Sequence, residues 1–92
     1  MSSVVYEVKL ARSAKKEVKL LDGGIRVRAI HAFRSLTNDP RPPGCRKLVG
    51  ATNRWRIRVG DYRILYEILR SEETIIVHLI GHRREVYKAK RH

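Results

Sequence analysis

Carboxylates and cysteines are the scarce residues of this chain. Nine Asp and Glu stand against 21 Lys and Arg in 92 residues, a formal net charge of +12. So few acids cannot neutralise the cations internally, and self-repulsion of this size is kept where the field is used to attract a polyanion, most often nucleic acid. A single cysteine, Cys45, excludes an internal disulfide and fits a reducing cytoplasm. No apolar run is long enough to span a membrane, and no strongly amphipathic basic helix suggests a lipid surface. The start, Met1-Ser2-Ser3-Val4-Val5-Tyr6-Glu7, lacks the basic and apolar stretches of a signal peptide. Repeats, low-complexity segments and long linkers are also lacking, so the length predicts one domain over residues 1–92. A core so small should gain from a partner that covers it.

Val4, Tyr6 and Val8 alternate with Val5, Glu7 and Lys9, which predicts a half-buried strand. From Arg12 to Leu21 the spacing of Ala14, Val18 and Leu21 is helical, with Ser13 as the expected N-cap and Gly23-Gly24 as the stop. A second helix follows, with Ile25, Ala29, Ile30, Phe33 and Leu36 on one face, and Asn38-Asp39-Pro40 ends it. Asp39-Pro40-Arg41-Pro42-Pro43-Gly44 reads as an ordered loop. Three strand-like runs complete the chain, Arg54 to Val59, Tyr62 to Leu69 and Thr74 to Ile80, joined as an antiparallel meander. The expected class is α+β in the order β-α-α-β-β-β, an antiparallel sheet packed on the two helices, with a short helical turn at the C-terminus.

Gly60-Asp61 suits a two-residue turn, which pairs Val59 with Tyr62 and fixes the register of the first hairpin. Ile57 then faces Ile64 and Trp55 faces Tyr66, so the aromatic residues fall on the core side. The other face carries Arg54, Arg56 and Arg58, with Arg58 across from Arg63 and Arg54 across from Glu67 as the nearby counter-charge. Alternating arginines are ordinarily a solvated face. Like charges directly opposite nevertheless destabilise a sheet, and the guanidinium fork fits phosphate oxygens in two contacts at once. The tail segment Gly81-His82-Arg83-Arg84-Glu85-Val86-Tyr87-Lys88 adds further cations, a histidine and a tyrosine. In a helical turn Arg83 and Tyr87 would share a face.

Three stretches together, Lys47-Leu48-Val49-Gly50, Trp55 through Ile68, and Gly81 through Tyr87, resemble the signature of the RelE/ParE toxin superfamily on its RelE side. The resemblance covers nearly the whole chain. It implies a toxin of a type II toxin–antitoxin pair, a ribosome-dependent mRNA endonuclease, or mRNA interferase, that blocks translation from the ribosomal A site. Its implied partners are an acidic RelB-like antitoxin, the ribosome and mRNA, and operator DNA only through the antitoxin complex. By motif, the family's basic strand pair falls on Arg56 and Arg58, the arginine after the hairpin on Arg63, and the C-terminal pair on Arg83 and Tyr87. Arginines stand where well-known members carry lysines, and since arginine does not give up its proton the sequence leaves the proton acceptor open. His82 beside Arg83 is one candidate, a side chain that only ends the strand is the other reading of it, and ribosomal positioning of the substrate could leave the protein little acid–base chemistry. Lys47, Arg54, Arg84 and Lys88 are expected to bind RNA around the cut.

Neither cofactor nor metal is expected, because the RNA's own 2′-OH can attack the phosphate once it is aligned. His31, His78, His92 and Cys45 show no metal-ligand spacing and read as structural or incidental. Lys15, Lys16 and Lys19 read as a solvated face, with ribosomal RNA as a secondary partner. Two other readings share the sequence: a ParE-like inhibitor that binds DNA gyrase without cutting RNA, and a basic RNA-binding module with no chemistry.

Overall fold

The computed structural model of the chain describes residues 4–82. Strand β1 (Glu7–Leu10) leads into helices α1 (Arg12–Leu20) and α2 (Gly23–Asn38), then β2 (Arg46–Lys47), β3 (Arg54–Val59), β4 (Tyr62–Leu69) and β5 (Thr74–His82). The five strands form one sheet in the order β1-β5-β4-β3-β2. The predicted α+β class and meander are present. The sheet is mixed rather than wholly antiparallel, because β1 joins β5 in parallel, with Glu7 beside Thr74 and Leu10 beside Val77. The expected C-terminal helical turn lies outside the described residues.

The first hairpin has the register derived from its turn, from Arg54 opposite Glu67 to Val59 opposite Tyr62. Gly60 has φ +60, and a Cβ there would meet the Arg28 guanidinium at 3.1 Å, so conformation and space both favour glycine. Alternation then sends Ile57, Val59, Ile64, Tyr66 and Ile68 into the core, with Ala14, Leu21, Ala29 and Leu36 from the helices. Ile30, expected on that helical face, is exposed at its flank.

Local details depart from the sequence reading for physical reasons. The first strand begins at Glu7, because the Tyr6 N–H is drawn to the Thr37 carbonyl at the end of α2 (2.8 Å), leaving Val4 and Val5 exposed. Ser13 is not the cap of α1: Ala11 holds that position, and the Ser13 hydroxyl donates to the His78 carbonyl at 3.0 Å. Gly23-Gly24 opens α2 instead of closing α1. What closes α1 is Arg26, whose guanidinium donates to the carbonyls of Lys19 and Leu21 at 3.0 Å each, satisfying acceptors that a helix end leaves open.

The register of β4 and β5 slips between Leu65 and Tyr66, which oppose Leu79 and Val77. His78 is therefore an extra, bulged residue, and the core positions of β5 change from Ile75 and Val77 to Ile80. Beyond Val77 the parallel partner ends, and α1 covers the open edge: Glu17 accepts the Ile80 N–H at 2.8 Å while Ser13 takes the His78 carbonyl. The loop after α2 is tied to the core from beneath by Tyr66, whose hydroxyl donates to the Pro40 carbonyl at 2.7 Å. Burial, with the Cys45 thiol beside it, pushes that hydroxyl well above its ordinary pKa, so it stays a donor.

Candidate nucleic-acid interface

The sheet face away from the core alternates into Arg54, Arg56 and Arg58 on β3 and Arg63, Leu65 and Glu67 on β4, as the register requires. Toward the hairpin, a cleft of about 300 Å³ is lined by Arg46, Arg56, Arg58, Arg63 and Gly44. Arg58 lies directly across from Arg63, and Arg46 directly across from Arg56. Among the described residues no carboxylate pairs with Arg46, Arg58 or Arg63.

Arg63 is the most confined of these, 6% exposed. It sits on a strand flanked on both sides, and Gly81, its partner on β5, brings no side chain to that face. Its guanidinium makes one long hydrogen bond, to the Tyr62 carbonyl at 3.4 Å. A buried cation without a counter-ion is costly, and an anion entering the cleft would relieve it. Gly44, with φ +90 and open space where a Cβ would be, forms a rim of low height.

Arg56, Arg58 and Arg63 are thus brought together. Arg54 shares their face but stands outside the cleft, toward Glu67. That carboxylate lies across from Arg54 and feels its charge, but its direct bonds go elsewhere: it accepts from Asn53 Nδ2 at 3.1 Å and meets His78 Nε2 at 2.8 Å. The His78 bond holds Glu67 below its ordinary pKa, against the effect of burial, with Asn53 helping. His78, read as structural or incidental, is the partner that sequence alone did not supply, because which cross-strand neighbour it meets depends on a bulge hidden in a continuous apolar run.

Two expected site residues face away. His82 opposes Tyr62, with ring centroids 5.7 Å apart in an edge-on contact, so it shares the face of Tyr62 and not that of the arginines. This placement counts against His82 as the proton acceptor of the cleft. Lys47 opposes Trp55 and lines a separate cavity of about 310 Å³ with Trp55, Arg41 and Arg70; its neighbour Arg46 takes the cleft position instead. Arg41 stacks over the Trp55 ring at 5.8 Å. Arg83, Arg84, Tyr87 and Lys88 lie outside the described residues. Among the described residues, no three of His, Cys, Asp and Glu gather into a group that could hold a metal ion, and no helix is long and apolar enough to cross a membrane.

The class defined by this geometry is a small basic α+β protein with an arginine-lined cleft on its open sheet face. A family model described as the ParE toxin of the type II toxin–antitoxin system, parDE, matches residues 8–87, and the chain belongs to this family, within the RelE/ParE superfamily of toxins. No curated protein matches it. Among solved structures it is similar to the archaeal RelE–RelB complex from Pyrococcus horikoshii, with 25% identity and TM-score 0.78 over 86% of this chain and 96% of that one. It is similar also to the RelB–RelE antitoxin–toxin complex from Methanococcus jannaschii, with 30% identity, TM-score 0.72, and 86% and 94% of the two chains covered. A variant of the Escherichia coli toxin RelE in the free state shares the fold at 24% identity and TM-score 0.77, over 95% and 97% of the chains.

Proposed function

We propose that this toxin is a ribosome-dependent mRNA endonuclease, acting in the cytoplasm as a single domain and restrained by an acidic RelB-like antitoxin, with operator DNA bound only through their complex. The observation that carries the reading is the cleft of Arg46, Arg56, Arg58 and Arg63, whose buried member Arg63 has no carboxylate partner among the described residues. Such a site suits a phosphodiester whose charge grows along the reaction path.

In the proposed reaction the 2′-OH of the ribose attacks the adjacent phosphorus in line. The bond to the 5′-oxygen breaks, leaving a 2′,3′-cyclic phosphate and a 5′-hydroxyl. Arg63 and Arg58 hold the non-bridging oxygens and the charge that develops on them; Arg56 holds the backbone. Family motif assigns Arg83 to the same phosphate and Tyr87 to proton transfer or base stacking. Arginines keep their protons, so the strand pair positions the phosphate and takes no proton.

The family match favours a second reading, a ParE-like inhibitor that binds DNA gyrase. Programmed ribosomes with primer-extension mapping, run beside a gyrase supercoiling assay, separate the two. Cleavage in the A-site codon that falls on the order of a hundredfold in Arg63→Ala supports the nuclease. Loss of supercoiling with intact mRNA sinks it.

A further inference from the structure

Strand register groups the arginines of the cleft into two cross-strand pairs, Arg58 with Arg63 and Arg46 with Arg56. Arg56 and Arg58 are two residues apart on β3, so the pairs follow one another at about 7 Å along the strand. Neighbouring phosphates on a stretched single-stranded polynucleotide are separated by a similar distance. A single phosphate could engage one pair with both forks, while the second pair would be left facing the next anion along the chain.

We propose that the cleft seats two consecutive phosphates of the RNA strand, one held by Arg58 and Arg63 and the next by Arg46 with Arg56. Arg46 is then a phosphate-positioning residue that sets which linkage is offered to Arg63. This rests on the RNA-binding reading of the cleft. The placement is a consequence of the short strand β2: antiparallel pairing with β3 puts Arg46 on the charged face and Lys47 on the other. Arg46 is exposed, so replacing it leaves the core untouched.

The test uses the full chain and a fluorescent trinucleotide carrying two phosphodiesters, 2′-O-methylated to prevent cleavage. Each phosphate in turn is replaced by an uncharged methylphosphonate. On the fully charged probe, Arg46→Ala and Arg63→Ala should each weaken binding about tenfold, and Arg46→Lys should recover part of the loss. With one linkage neutralised the Arg46→Ala effect should vanish while that of Arg63→Ala persists; with the other linkage neutralised the reverse should hold. Arg41→Ala, exposed on the opposite face, should change nothing. If both variants lose affinity through the same linkage, or Arg46→Ala binds like the wild type, the two-phosphate arrangement is wrong while the RNA reading stands. If the wild type fails to bind the charged probe at low salt, both fall.

Discussion

At one end of the charged sheet face Glu67 is held between His78 at 2.8 Å and Asn53 at 3.1 Å; at the hairpin end Arg46, Arg56, Arg58 and Arg63 line a cleft in which no carboxylate pairs with Arg46, Arg58 or Arg63 among the described residues. Both ends draw on β4, the first together with β5 and the second together with β3 and β2. The first closes its polar groups on one another, and the second leaves like charges opposed. A carboxylate was available on β4 at the position facing Arg54, yet it is the imidazole at the β5 bulge that bonds to it. The contrast teaches that the cationic end is not simply short of acid. On the proposed reading its repulsion is left for a ligand to neutralise, which is how a binding site keeps instability that a structural region would remove.

The strongest way to break this contrast is to remove the buried cation without opening a hole. Arg63→Met keeps the bulk of the stem and deletes the charge. Because a buried charge without a partner opposes folding, the variant should be more stable by about 1 kcal/mol, a rise of roughly 4–8 °C in Tm for a domain of this size. It should also lose RNA binding and growth arrest. Calorimetry beside the binding assay decides the matter: a lower Tm would mean that Arg63 stabilises the fold, and the contrast between the two ends would collapse.

A smaller effect on binding, with a stability change of similar size and opposite sign, is expected beneath the rim. Tyr66→Phe deletes the 2.7 Å bond to the Pro40 carbonyl and leaves that acceptor without its donor, at a cost of about 1 kcal/mol. The loop it anchors runs on to Gly44 at the mouth of the cleft, so RNA affinity should fall a few-fold with no change at Glu67. Urea unfolding and the trinucleotide probe read the two effects separately. Equal stability of variant and wild type would show that the loop is held by its prolines alone.

Much of this was legible from the residues because a two-residue turn propagates order. Gly60-Asp61 fixed Arg58 opposite Arg63 and Ile57 opposite Ile64 without reference to any relative. Features that local pattern does not encode were lost. Two residues of β2 show no alternation, so the sequence points to Lys47 as an RNA contact and gives no sign that Arg46 is the one on the cleft face. The run from Ile75 to Ile80 is apolar on both faces except at His78, and a bulge there shifts the phase by one, carrying His82 to the side of Tyr62. Parallel pairing of β1 with β5 joins the two ends of the described chain, and no local signal reports so distant a contact. Helix boundaries moved for a related reason: Arg26 closes α1 and Ser13 serves β5, both through tertiary bonds that capping rules do not anticipate.

The smallest effect is expected at the neutralised end, and its sign follows from the direction of one pKa. Glu67 is held below its ordinary value of 4.5, chiefly by the hydrogen bond with His78. A carboxyl depressed on folding contributes stability above its unfolded pKa and loses that contribution as pH falls through the folded value. Glu67→Gln removes the charge while keeping an amide oxygen to accept a bond. At neutral pH the variant should therefore be less stable by about 0.5 kcal/mol, as for a partly exposed pair. Below pH 4.5 the difference should shrink, and the two proteins should converge once wild-type Glu67 is protonated. Urea midpoints measured from neutral pH into acid test this. A gap that stays constant across the range would mean that Glu67 acts by shape alone, and the charge-neutralised end would then differ from the arginine cleft in packing rather than in electrostatics.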